Sequence, residues 1–147
     1  MTQYTHILVA IDFSDSAGSV LNKAKEIAKR NNARLSLLHI VEYMPPIDSA
    51  YEPILASNWD IDEPLLISHA EKSLQQLSQK HDLKDADLNV TLGVPKHEIT
   101  QFVSEHQCDL IIMGSHGRHG INILLGSTAN AVLHEMPCDI LAVKIKA

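Results

Sequence analysis

Short runs of branched apolar residues alternate along this chain with stretches whose apolar positions recur at helical spacing. That alternation predicts an α/β fold, a parallel sheet covered by helices on both faces. His6-Ile7-Leu8-Val9-Ala10-Ile11 reads as the first strand. Ser14 or Asp15 can cap a following helix whose Ala17, Val20, Leu21, Ala24, Ile27 and Ala28 share one face, with Asn31-Asn32 at its end. Arg34 to Val41 is the second strand, and Leu88-Asn89-Val90-Thr91-Leu92 alternates like a third. Asp109-Leu110-Ile111-Ile112-Met113 is the fourth and Ile140-Leu141-Ala142-Val143 the fifth.

Between the second and third strands runs a connection with Pro45, Pro46 and Pro53, reaching about Asp60. Tyr43, Tyr51 and Trp59 read as anchors tacking it to the domain. Asp60 or Asp62 and Pro64 then start a helix with Leu66, Ala70, Leu74 and Leu77 at core spacing, ending near His81. After the turn Gly93-Val94-Pro95, a helix carries Ile99, Phe102 and Val103 inward. The last helix holds Ala129, Val132, Leu133 and Met136, and Pro137 stops it.

The chain of 147 residues fits one domain, residues 1–147. A formal charge of −6 argues against an electrostatic grip on nucleic acid, so a phosphate-bearing partner should be small. No apolar run approaches the roughly 20 residues that span a bilayer, so no membrane insertion is expected. Met1 to His6 has no signal-like character, and a cytoplasmic protein is the default expectation. Cys108 and Cys138 stand in parallel contexts at the entries to two strands; a structural disulfide is disfavoured, and without a Cys-x-x-Cys pair no zinc site is expected.

The functional signal is Gly114-Ser115-His116-Gly117 at the end of the fourth strand, followed by Gly126-Ser127-Thr128 opening a helix. Glycines there let backbone amides face an anion, and a helix N-terminus adds partial positive charge and hydroxyl donors. An ordinary helix cap after a loop is the competing reading. The chain has no Gly-x-x-x-x-Gly-Lys-Ser/Thr, and its first strand runs into Asp12-Phe13-Ser14 without the glycines of a dinucleotide fingerprint. With no motif lysine, backbone amides must supply most phosphate contacts, which favours binding over catalysis. A switch point between the first and fourth strands would bring Asp12 and Gly114 to one crevice.

Taken together, Ala10-Ile11-Asp12, Leu37-Leu38-His39-Ile40, Gly93-Val94-Pro95 and Met113-Gly114-Ser115-His116-Gly117-Arg118 before Gly126-Ser127 resemble the universal stress protein family. The resemblance spans essentially the whole chain. It implies a single-domain, doubly wound sheet of five parallel strands in the order 3-2-1-4-5, a homodimer, and a bound ATP, ADP or AMP; Mg²⁺ can accompany ATP through phosphate oxygens and water, without a recognisable protein cage. It places Asp12 at the ribose and adjacent adenosine with Ala10 and Ile11 beside it in the nucleotide site, the backbone of Ile40 or Val41 at the adenine edge, and Met113 in the pocket lining. Gly114, Gly117, Gly126, Ser127 and Thr128 would contact phosphates and ribose. A carboxylate accepts from ribose hydroxyls and repels phosphate, which suits Asp12 to the sugar. The spacing departs from the family's nucleotide-binding pattern: Gly117 and Gly126 enclose eight residues where the pattern has nine. AMP or ADP is therefore expected to bind comparably to ATP, with Gly120 absorbing the shortening.

Arg118 can pair with phosphate oxygens or stay solvated. His116 and His119 read as loop residues, because no neighbouring carboxylate orients either imidazole, and no catalytic residue is assigned. His39 reads as a hydrogen-bonded core residue, and His69, His81 and His97 as helix-surface residues. The implied edge position of Val143 allows pairing with a second copy through the C-terminal strand, unless Lys144 and Lys146 blunt it. These readings converge on a dimeric sensor or adaptor that binds an adenine nucleotide in stress response. The alternatives are a weak ATP hydrolase or phosphotransferase, and an interaction protein that binds no nucleotide.

Overall fold

An unbroken apolar run should be a strand buried on both faces, and β1 (His6–Ile11) is buried at every residue. The computed structural model describes residues 3–13, 17–42, 63–114 and 138–143. Within them the chain continues through α1 (Ala17–Asn31), β2 (Arg34–Glu42), α2 (Glu63–Lys80), β3 (Asp87–Gly93), α3 (Pro95–His106), β4 (Leu110–Gly114) and β5 (Asp139–Val143). The five strands form one parallel sheet in the order β3-β2-β1-β4-β5, as the family resemblance implies. The Ser14 or Asp15 cap, the connection across residues 43–60 with its aromatic anchors, and the expected helix around Ala129 to Met136 lie outside the described residues.

Alternation along each strand sorts the core into two layers. Ile7, Val9 and Ile11 of β1, Leu35 and Leu37 of β2, and Leu110 and Ile112 of β4 pack with Val20, Leu21 and Ala24 of α1 and Leu74 of α2. Leu8, Ala10, Leu38, Ile40, Ile111 and Met113 face the other way, against Ile99 and Val103 of α3. Helices therefore cover both faces, as a parallel sheet requires.

One inward assignment is corrected. Leu66 was expected on the core face of its helix, yet it is 40% exposed. The buried stripe of α2 centres on Ala70, Leu74 and Ser78, and at helical spacing that geometry turns Ile67 inward in the first turn instead. His81, expected on a helix surface, lies just beyond α2 and is half-buried, with its ring against Gly18 of α1.

All three described helices end alike. Asn32, Asp82 and Gln107 take the left-handed conformation at φ 52°, 55° and 54°. The amides of Ala33, Leu83 and Cys108 then reach back to the carbonyls of Ala28, Ser78 and Val103 at 2.9, 2.8 and 3.2 Å. This is the Schellman pattern, in which a left-handed residue lets the next amide satisfy a carbonyl the helix leaves open. Each such stop turns the chain directly into a strand or the short approach to one.

Candidate functional site

β1 stops short of both its neighbours, and the shortfall makes a notch. Its register with β2 ends at Ile11↔His39, while β2 continues beside β3 through Ile40↔Thr91, Val41↔Leu92 and Glu42↔Gly93. Its register with β4 ends at Val9↔Ile112, while β4 continues beside β5 through Met113↔Ala142 and Gly114↔Val143. The carboxyl ends of β2 and β4 thus rise on either side of Ile11-Asp12. Because β3 connects to β4 through α3, on the face opposite α1, this is the switch point where open α/β sheets hold ligands.

Of the residues expected to form a nucleotide site, seven lie in the described part, and all seven are at this notch. Ala10, Ile11, Ile40 and Met113 are buried, whereas Asp12, Val41 and Gly114 are half-buried. Ala10, Ile40 and Met113 turn their side chains into the α3 layer, so a ligand would meet their backbone before their side chains. Gly117, Arg118, Gly126, Ser127 and Thr128, with His116, His119 and Gly120, lie outside the described residues.

The chemistry this notch offers is recognition. A half-buried carboxylate can accept from sugar hydroxyls, and strand backbone continuing past its neighbour can read the edge of a base. Beneath it, the Nδ1–H of His39 donates to the carbonyl of Ile11 at 2.8 Å, so the residue is hydrogen-bonded as read, but half-buried rather than in the core. Among the described residues no group of three His, Cys, Asp or Glu side chains could hold a metal ion. No helix there is long and apolar enough to cross a membrane.

Comparison with known proteins completes the picture. The sequence model described as Universal stress protein family matches residues 3–144. The chain belongs to the universal stress protein family. It is 39% identical to Universal stress protein A homolog 2 of Coxiella burnetii over 147 residues, covering 99% of each. The universal stress protein UspA from Lactobacillus plantarum is 29% identical and superimposes with a TM-score of 0.69 over 97% of this chain and 99% of that one. The universal stress protein from Archaeoglobus fulgidus, solved in complex with dAMP, shares the fold at 22% identity and a TM-score of 0.60, over 97% of this chain and 100% of that one.

Sequence reading missed a second set of polar residues in this universal stress protein, at the opposite, amino-terminal edge of the sheet. Asp109, just before β4, accepts from the amide and hydroxyl of Thr5 at 2.8 and 3.0 Å and from the amide of His6 at 3.0 Å. Buried His6 donates through Nδ1–H to the His106 carbonyl at 3.0 Å, so its Nε2 accepts the Ser36 hydroxyl at 2.7 Å. Arg34 of β2 holds Asp87 of β3 through two nitrogens, each at 2.7 Å, and the Tyr4 hydroxyl donates to Asp139 of β5 at 2.8 Å. Residues in or just before each of the five strands are thereby linked through side chains at this edge. The available signal was a polar residue at the head of each strand.

The cysteines sit at the same edge as free thiols packed in the α3 layer. Burial, with the neighbouring Cys138 and Asp109, pushes the Cys108 thiol up to about 12; burial, with Asp139, pushes Cys138 up to about 11. Since the thiolate is the nucleophile, both should react with a disulfide reagent at pH 8 more than about tenfold slower in the native protein than in denaturant. The raised values also carry a sign. Unfolded thiols ionise near ~8.5 and folded ones do not, so this contribution to stability is complete below that pH and is lost as pH rises toward about 11. Labelling followed by mass spectrometry, and melting temperatures from pH 8 to 11, check both outcomes.

Proposed function

We propose that this universal stress protein binds an adenine nucleotide, ATP, ADP or AMP, in the notch above β1, and acts as a homodimeric, cytoplasmic sensor or adaptor whose contacts depend on the bound nucleotide. The observation that carries the reading is the shortfall of β1, with Asp12 between the continuing ends of β2 and β4. In this reading Asp12, flanked by Ala10 and Ile11, meets the ribose and the backbone of Ile40 or Val41 meets the base. Met113 backs the pocket, and Gly114 begins a phosphate cradle that Gly117, Arg118, Gly126, Ser127 and Thr128 complete. Mg²⁺ would bind through phosphate oxygens and water when ATP is the ligand. The dAMP complex of the Archaeoglobus fulgidus relative supports the ligand class. The edge position of β5 supports pairing with a second copy through Val143, because among the described residues one side of that strand has no neighbour in the sheet.

The test is melting temperature with ATP, ADP, AMP and GTP, each with and without Mg²⁺. A ligand at 100 times its dissociation constant stabilises the native state by about 2.7 kcal/mol, so adenine nucleotides should raise the melting temperature by several degrees and GTP by less. Asp12→Ala should remove most of the shift. No shift with any adenine nucleotide at millimolar concentration would overturn the proposal.

A further inference from the structure

The notch is closed from below by a contact that ordinary strand pairing does not demand. Ile11 is the last β1 residue in register with β2, and its Cα partner is His39. His39 does more than pair there. Its Nδ1–H takes the Ile11 carbonyl at 2.8 Å, using a side chain where a longer β1 would continue through its own backbone. Two residues on, Phe13 folds back so that its ring lies 4.2 Å from the imidazole, tilted by 35°. Phe13 is 43% exposed, so the ring is held against the imidazole with a large part of its surface still in water. Asp12 is the single residue between these two anchors.

We propose that His39 is a positioning residue for nucleotide binding: by gripping the Ile11 carbonyl and the Phe13 ring, it fixes the backbone on both sides of Asp12 and so aims the carboxylate at the ribose. This rests on the nucleotide reading above and adds a residue that touches no ligand. The physical basis is preorganisation. A carboxylate on a free turn loses conformational freedom when a ligand orders it, whereas one held between two anchors has lost that freedom on folding. The contribution should therefore appear in affinity, and it depends on one donor at the Nδ1 position.

Three variants test this, His39→Ala, His39→Asn and Phe13→Leu, with ATP affinity measured by calorimetry and amide hydrogen exchange measured without ligand. Loss of one hydrogen bond and one ring contact predicts that His39→Ala weakens ATP binding about three- to tenfold. His39→Asn places an amide donor near the Nδ1 position and should recover most of the loss, a rescue that a purely space-filling role would not give. Phe13→Leu should weaken binding about two- to threefold without lowering the unliganded melting temperature. Unchanged affinity in His39→Ala, or failure of His39→Asn to recover it, overturns the proposal. If His39→Ala does not fold, Phe13→Leu decides, and wild-type affinity in that variant overturns it. If the wild-type protein itself binds no ATP, the nucleotide reading falls, and exchange at the Asp12 and Phe13 amides tests the anchors alone. Faster exchange in Phe13→Leu and His39→Ala upholds them, and unchanged exchange overturns them.

Discussion

Leu37→Ala should lower the free energy of unfolding by about 3–5 kcal/mol, while Leu88→Ala, its cross-strand neighbour, should cost less than about 1 kcal/mol. The two leucines are register partners on β2 and β3, so their level along the sheet is matched. Burial is not. Leu37 is fully enclosed between β1, α1 and α2, and removing its side chain leaves a cavity that a rigid sheet cannot collapse around. Leu88 lies on the edge strand with 38% of its surface exposed, so truncation removes less buried surface and the space it leaves opens to water. Urea denaturation of the two variants separates them. Equal losses would mean that the core is not layered as described.

Asp109→Ala should be the most damaging change at the amino-terminal edge, costing about 1–3 kcal/mol and removing part of the acid sensitivity of the fold. Burial raises the carboxyl against ionisation, but the amides of Thr5 and His6 and the Thr5 hydroxyl outweigh it, and the net effect lowers its pKa. A carboxylate held below its unfolded value adds stability above roughly pH 4, and that stability is lost as pH falls through the lower folded value. Stability of the wild type should therefore decline on acidification in part through this group. Asp109→Asn should flatten that limb while keeping one acceptor oxygen. Melting temperatures from pH 7 to 3 for the three proteins check the sign, and a wild-type acid limb in Asp109→Asn would contradict it.

Much of the fold was legible because the strands are apolar and β-branched and the helices carry apolar residues at their own spacing. His6 to Ile11 was read as a strand with the observed limits, and Ala17, Val20, Leu21 and Ala24 as the buried face of α1. Leu66 failed because a stripe read from leucines alone follows residue type, whereas the helix is oriented by Ala70, Leu74 and the buried Ser78. The seven notch residues were reachable because a switch point follows from strand order, which the family resemblance provided. The links through His6, Ser36, Asp109 and Asp139 were not, because they join residues far apart in sequence and depend on strand register. Parallel strands joined through helices leave no short turn from which register can be read.

The shortfall of β1 also means that the two ends of the sheet have separate duties. Alignment is locked at the amino edge by Asp109, His6, Arg34 and Tyr4, while the carboxyl edge carries the notch and the long connections. Side chains at the notch that lie outside the buried core can therefore vary in size and charge without unfastening the strands. A sheet of this kind is a chassis for diversification: ligand preference can drift, or be redesigned, in a protein that keeps its shape.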